Sequence, residues 1–204
     1  MRYSAGRLAA CVLFTFGLGV AVAHAQVFTS TLSGASENPA VVTTGSGTTT
    51  VTLNQAARTI RVQANFTGLT GNTTAAHLHC CSAPPTNVGV ATTTPSFVGF
   101  PLGVQAGTFD QTYSLQNAAS FSAAFIAANG GTVAGAEAAL VTGILAGRAY
   151  LNIHTATFGG GEIRGQLLAA SSSVSIPTLT HGLLALLGGL LVAGTWFVWR
   201  RRQA

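Results

Sequence analysis

Four metal-binding side chains occur together in the short segment AHLHCC. His77 and His79 are two positions apart, and Cys80 and Cys81 follow them directly. In a β-strand, side chains at positions i and i+2 point to the same face, with backbones roughly 6–7 Å apart. Two imidazoles placed in this way can converge on one transition-metal ion, so the pair predicts part of a copper or zinc site.

A third histidine, His154, lies in the strand-like segment YLNIHT. It is followed by three glycines and then by Glu162. The glycines permit a turn, which would place His154 and Glu162 on neighbouring strands. We therefore take His154 as the third candidate metal ligand, with Glu162 in a supporting role. The alternative is that the histidines are hydrogen-bonded structural residues and that Glu162 pairs with a charge across the sheet.

Cys80 and Cys81 leave three alternatives open. They are the only cysteines after the first 25 residues, and a disulfide is favoured only in an oxidising compartment. The two can form a vicinal disulfide, remain free and buried, or contribute one ligand to a copper or zinc ion. An intermolecular bridge is a further, minor alternative.

The elements that must position these residues are mostly strands. Short runs rich in Thr and Val are separated by clusters of Gly, Pro, Asn and Ser. In the segment 58–66, apolar and polar residues alternate, as is typical of a half-buried strand. The pattern predicts one mostly β domain over residues 26–170, an antiparallel β-sandwich or barrel.

The region 116–147 departs from this pattern and predicts a short helical insertion. Its second half carries apolar residues at helical spacing, and Gly147 can end the helix. The residues predicted to share one helix face are Ala136, Leu140, Ile144 and Leu145. We expect the helix to lead directly into a strand over 148–154.

The N-terminus has the order of features typical of a signal peptide. Arg2 and Arg7 precede the apolar run 8–22, and Ala23-His24-Ala25 forms an A-x-A cleavage site. We predict a signal helix within residues 1–25, cleaved between Ala25 and Gln26. An uncleaved anchor is the alternative, but the apolar run is short for a bilayer core of about 30 Å.

The C-terminus predicts a membrane segment. Residues 181–199 are uncharged and near the ~20 apolar residues that a spanning helix needs. Trp196 and Trp199 fit an aromatic belt, and the basic tail 200–204 marks the cytoplasmic side. Residues 171–180 would then be a linker, and the β-domain would lie outside the cytoplasmic membrane.

The end of this linker resembles the IPTL-type C-terminal sorting signals of Gram-negative bacteria. The motif residues are Ile176, Pro177, Thr178 and Leu179, followed by the apolar helix and an arginine cluster. The resemblance implies an exosortase-like processing enzyme as a partner and a transient anchor. His181-Gly182 departs from the pattern, which often has an aromatic residue before the glycine. A permanent anchor and a processed one remain alternatives.

The net charge of the β-domain differs from that of the whole chain. Only 6% of the residues are charged, and five of the nine arginines lie in the two terminal segments. The segment between them has four arginines and four acidic residues, so the β-domain is neutral. The basic isoelectric point therefore reflects targeting, and no nucleic-acid partner is predicted.

The β-domain as a whole resembles the CHRD domain, which is named after chordin and common in bacterial secreted proteins. Three segments carry the resemblance: LSGASENPAV near the start, AHLH in the middle, and YLNIHTATFGGGEIRGQL near the end. Cys80-Cys81 departs from the family, where Gly-Pro is usual. The resemblance implies an extracellular β-rich domain, and the recurrence of the histidines in the motif favours a metal site.

These observations lead to two hypotheses of different classes. The first is an exported, cell-surface or matrix protein without enzymatic activity, with a structural or adhesive role and an unknown protein or polysaccharide partner. The alternative is a domain that binds copper or zinc through His77, His79 and His154, with redox activity open. A hydrolase has little support, because no nucleophile elbow is present and Asp110 has no histidine beside it.

Overall fold

The computed structural model describes residues 25–170 of the chain. The predicted sorting motif at Ile176, Pro177, Thr178 and Leu179, the membrane segment and the basic tail lie outside these residues. So does the predicted signal helix, apart from Ala25. Within residues 25–170, no helix is long and apolar enough to cross a membrane.

The strands form a single curled antiparallel sheet, a half-barrel. In spatial order the path is β4-β6-β7-β1-β2-β3-β5, and the short β8 pairs with β1. The bounds are β1 Gln26–Ser33, β2 Ser46–Asn54, β3 Thr59–Thr67, β4 Thr73–Cys80, β5 Gly107–Ser114, β6 Ala149–Thr155, β7 Ile163–Gln166 and β8 Leu168–Ala169. The prediction of a mostly β, antiparallel fold is confirmed, and the half-barrel is the form it takes.

Alternation along the strands separates the core from the outer surface. In β3, Ile60, Val62 and Phe66 are buried, whereas Arg61 and Asn65 are exposed. This is the alternation that the sequence predicts. It arises because successive strand side chains point to opposite faces of the sheet. The buried faces of β1, β2 and β3 contribute to one hydrophobic core together with apolar residues of β4, β6 and α2.

The helical insertion consists of two helices, α1 (Ala123–Ala128) and α2 (Val133–Leu145). The Thr132 hydroxyl caps α2 by accepting a hydrogen bond from the Gly135 amide at 3.1 Å. Gly147 has a φ of 65° and lies just past the end of α2, in the left-handed conformation that glycine tolerates. The predicted helix face is correct except at Leu145, which is 45% exposed because it lies in the last turn, away from the sheet core.

β4 is an edge strand, and the long loop 81–106 covers its free edge. The Ala91 amide donates to Leu78 O at 2.8 Å, and the Phe97 amide donates to Ala76 O at 3.0 Å. The Thr92 hydroxyl accepts from the Leu78 amide at 2.9 Å. The loop thereby satisfies the backbone groups that an edge strand leaves unpaired. It also brings its own carbonyl groups to the polar face of β4.

Candidate metal centre

β4 and β6 each have one apolar face and one polar face. Ala76 and Leu78 of β4 and Ile153 of β6 are fully buried in the hydrophobic core. The alternate residues point the other way, so His77 and His79 lie on the polar face of β4. Tyr150, Asn152 and His154 lie on the same face of β6, and β4 and β6 pair directly.

The three candidate histidines come together on this face. One ring nitrogen from each of His77, His79 and His154 lies within 4.8 Å of the others. His77 and His79 are buried, and His154 is partly buried. The His77 and His154 rings meet edge to face with centroids 4.9 Å apart. Strand pairing accounts for this, because His154 stands opposite Ala75, two positions from His77.

A backbone carbonyl group holds one nitrogen of each ring. His77 Nε2 is 2.6 Å from Pro95 O, His79 Nδ1 is 2.7 Å from Val88 O, and His154 Nδ1 is 3.0 Å from Gly159 O. A carbonyl oxygen only accepts, so each of these ring nitrogens must carry the proton. The remaining nitrogens, Nδ1 of His77 and Nε2 of His79 and His154, are then unprotonated lone-pair donors.

The three free ring nitrogens are buried and have no hydrogen-bond partner. Leaving a buried acceptor unpaired costs about 1–3 kcal/mol, so three unpaired ring nitrogens in one cluster of histidines require an explanation. A metal ion supplies one, because protein imidazole ligands typically bind the metal through one nitrogen and donate from the other to a carbonyl or carboxylate.

Burial also keeps the three rings neutral. Burial is the main cause of the lowered pKa of all three histidines, and the pKa of His79 falls to about 4. The hydrogen bonds to Pro95, Val88 and Gly159 act in the opposite direction but are outweighed. At neutral pH the free nitrogens therefore offer lone pairs without first losing a proton.

The donor set fits a borderline transition metal. Neutral imidazole suits copper and zinc, and three histidines leave a fourth position for another ligand. Nitrogens bound at 2.0–2.1 Å to one tetrahedral ion stand about 3.3 Å apart. Because one nitrogen of each ring already lies within 4.8 Å of the others, closure of the three rings around an ion needs movements of only about 1 Å.

A second layer of buried polar residues lies beside the histidines, and sequence reasoning did not single it out. Tyr150 stacks on His79 with ring centroids 4.8 Å apart, and the Arg164 guanidinium lies 4.8 Å from the Tyr150 ring centroid. Asn152 stands directly opposite His77. Alternation along YLNIHT was the signal that would have placed Tyr150 and Asn152 on the histidine face.

Arg164 joins this layer to Glu37. It donates from Nε to Ser36 O, from Nη1 to Asn87 Oδ1 at 2.6 Å and from Nη2 to Pro85 O at 2.9 Å. Its Nε is 3.8 Å from Glu37 Oε2, and both side chains are buried. Burial raises the pKa of Glu37 to about 7, partly opposed by Arg164.

Glu162 is not brought to the histidines, contrary to its predicted supporting role. β7 begins at Ile163, and Glu162 lies in the preceding bend with its carboxylate on the side of Thr155, away from His154. Its oxygens accept from Thr155 Oγ1 at 2.6 Å, Thr43 Oγ1 at 2.5 Å and the Thr70 amide at 2.7 Å. Burial raises the pKa of Glu162, but these hydrogen bonds together hold it below its ordinary value.

Cys80 and Cys81 are joined to each other, so neither offers a thiolate to a metal ion. Of the three alternatives, the structure has the vicinal disulfide. Cys80 follows His79 in β4 and therefore faces the opposite side, where its Sγ is 4.0 Å from Ala139 O of α2. The cysteines in AHLHCC thus pack against the helix, and the histidines face the polar layer.

Comparison with known proteins identifies the family of the described domain. The family model for the CHRD domain matches residues 28–167, which is most of the chain and nearly all of the described part. No curated protein and no solved structure matches the chain.

Proposed function

Because the chain belongs to the CHRD-domain family, we propose that its β-domain binds one transition-metal ion, copper or zinc, through His77, His79 and His154. One observation carries the proposal. The three rings bring one nitrogen each within 4.8 Å of the others, each ring has one buried nitrogen without a partner, and a backbone carbonyl fixes the tautomer of each ring. A set of structural histidines would instead be expected to pair these nitrogens with donors.

Metal analysis of the purified full-length chain tests the proposal. The protein is incubated with Cu²⁺ or Zn²⁺, desalted and analysed by mass spectrometry of the metals. We expect about one equivalent in the wild type and a loss of most of it in His77→Ala and His79→Ala, since two remaining imidazoles bind far more weakly. His181→Ala is the matched control, because it removes a histidine from outside the described residues and should leave the metal content unchanged.

Two results would contradict the metal site. Retention of less than about 0.2 equivalents by the folded wild type would show that the three rings do not form a working ligand set. Equal retention by wild type and His77→Ala would place the bound metal elsewhere in the chain.

A second candidate function is a structural or adhesive role at the cell surface without enzymatic activity. The outer face of β1, β2, β3 and β5 favours it, because it is exposed, polar and nearly neutral. A groove of about 340 Å³ on this face is lined by Thr48, Gln63, Asn65 and Thr108, and Asp110 pairs with Arg61. Hydroxyl and amide groups without net charge suit a neutral polysaccharide.

The second candidate includes export, transient anchoring by the C-terminal helix and processing by an exosortase-like enzyme. Retention of the chain on an insoluble neutral polysaccharide tests the surface role, with Asn65→Lys and Gln63→Lys expected to reduce it. Equal retention of wild type and both variants would contradict a role for this face. Substrate turnover that is lost in His77→Ala would contradict the absence of enzymatic activity.

A further inference from the structure

Unpaired buried acceptors are concentrated in one layer of the domain. Among residues 25–170, five buried side-chain nitrogen or oxygen atoms have no hydrogen-bond partner. Three are the free ring nitrogens of the histidines. The other two are Oδ1 of Asn152 and Oε1 of Glu37. All five lie on the polar side of β4, β6 and β7.

Asn152 connects the histidines to Glu37. It stands opposite His77 in the β4–β6 pair and opposite Arg164 in the β6–β7 pair. It is also two positions from His154 and therefore shares its face. Cross-strand partners have Cβ atoms only about 4.5–5.5 Å apart, so Asn152 lies directly beside His77 on this face of the sheet.

The Glu37 carboxylate approaches the same carboxamide at Gly161. A Cβ on Gly161 would lie within 2.6 Å of both terminal atoms of the Asn152 carboxamide, Nδ2 and Oδ1, and 2.8 Å from Glu37 Oε1. Because Gly161 has no side chain and a φ of 124°, the Asn152 carboxamide and the Glu37 carboxylate oxygen can share this space. Gly161 thus leaves room for Asn152 and Glu37 to meet next to His77.

Arg164 does not supply the missing donor. Its Nε, Nη1 and Nη2 all donate to other groups: Ser36 O, Asn87 Oδ1 and Pro85 O. Its approach to Glu37 is to Oε2, at 3.8 Å, and not to Oε1. Arg164 offsets the charge of Glu37 but leaves Oε1 without a hydrogen bond.

We propose that a metal ion held by the three histidines carries a water molecule as its fourth ligand, and that Asn152 Oδ1 and Glu37 Oε1 accept the hydrogen atoms of that water. The inference rests on the proposed metal function and extends it. A water molecule has one face of lone pairs for the metal and two O–H donors. One bound water would therefore satisfy the open coordination position and both acceptors.

This arrangement defines the class of ligand that the fourth position accepts. Two acceptor oxygens favour a small neutral molecule that carries O–H groups, and they disfavour an anion, which has no hydrogen to offer. The site would thus hold water and discriminate against azide, chloride and carboxylates.

The full-length chain loaded with Co²⁺ tests the inference, because the visible spectrum of Co²⁺ changes when an anion replaces a water ligand. Azide is titrated into wild type, Glu37→Gln and Asn152→Leu. We expect azide to bind at least about tenfold more tightly to both variants, because Glu37→Gln removes the negative charge and offers an amide N–H to the anion, and Asn152→Leu removes an acceptor that holds the water. Asp110→Asn and Asn65→Leu, on the outer face of the sheet, are the matched controls and should behave as wild type.

A second measurement uses wild type alone and does not depend on how the variants fold. Cu²⁺-loaded protein is transferred to D₂O, and its electron–nuclear double resonance (ENDOR) spectrum is recorded. Strongly coupled exchangeable deuterons are expected from the bound water. Their absence would overturn the inference.

The outcomes separate the two proposals. No uptake of Co²⁺ or Cu²⁺ by wild type overturns the metal site and the bound water together. Normal uptake with the same azide affinity in wild type and both variants overturns only the inference. That result is expected if the Asn152 amide turns its Nδ2 towards Glu37, because the two groups would then bond each other.

Discussion

His77 and Asn152 stand directly opposite each other on β4 and β6, and both side chains are buried on the polar face of the sheet. The pairing places a candidate ligand next to an acceptor without a donor. The groups around the pair come from residues distant in sequence: Pro95 O holds the His77 ring, Glu37 approaches the Asn152 carboxamide at Gly161, and Arg164 lies opposite Asn152 on β7. The polar layer is therefore a product of sheet register and of the loops that cover it.

Metal binding should stabilise the domain. At a free metal concentration of about 100 Kd, binding to the native state adds about 2.7 kcal/mol, which raises Tm by about 5–10 °C in a domain of this size. Scanning calorimetry of wild type with and without Zn²⁺ measures the shift. We expect none in His77→Ala and the full shift in His181→Ala. An equal shift in His77→Ala would mean that the metal stabilises the chain from another place.

The stability of the metal-free domain should fall in acid because of His79. Burial lowers the pKa of His79 from 6.5 to about 4. The unfolded chain therefore binds a proton below pH 6.5 that the folded chain binds only near pH 4. His79 stabilises the fold fully above pH 6.5 and loses up to about 3 kcal/mol as the pH falls to 4.

Urea unfolding of wild type and His79→Gln between pH 4 and pH 8 isolates this contribution. The difference in unfolding free energy should change over pH 4–6.5 and be constant above it. Comparison with the variant is needed because burial raises the pKa of Glu37 to about 7, and its contribution falls with rising pH. A difference that does not vary with pH would contradict a depressed pKa for His79.

Glu162 should matter for stability and not for metal content. Its oxygens accept hydrogen bonds from Thr43, Thr70 and Thr155, and the residue is fully buried. Glu162→Ala leaves those donors without this acceptor and should cost about 1–3 kcal/mol. Chemical denaturation measures the loss, and metal analysis of the folded fraction should still give the wild-type value. If Glu162→Ala folds but binds no metal, Glu162 takes part in metal binding after all.

Gly143 should be essential for packing the disulfide against α2. A Cβ at this position would overlap Cys80 Sγ and lie 2.7 Å from Cys81 Sγ. Gly143→Ala should therefore reduce the free energy of unfolding by about 1–3 kcal/mol. Gly160→Ala is the control, since its Cβ would meet nothing within 4 Å. The addition of Cys80→Ala and Cys81→Ala should recover part of the loss, and no recovery would contradict the overlap.

Local pattern predicted much of the fold. The alternation in β3, the helix before β6 and the shared face of His77 and His79 all follow from spacing along one element. Leu145 was misplaced because helical spacing does not reveal where the last turn leaves the core. Glu162 was misplaced because its position depends on where β7 begins, and a run of glycines does not specify that point.

By itself, the sequence determined that the chain is mostly β and which three histidines are candidate metal ligands. It also showed the resemblance to the CHRD domain, which the family model confirms. These properties reside in residue type and local periodicity. Only the tertiary structure decided that the cysteines bond each other, that three carbonyls orient the rings, and that Asn152 and Glu37 adjoin the site. The disulfide joins neighbouring residues, and the sequence alone does not separate it from free thiols or a metal ligand. The other relationships depend on loop conformation and strand register, which bring together residues as far apart as Glu37 and Asn152.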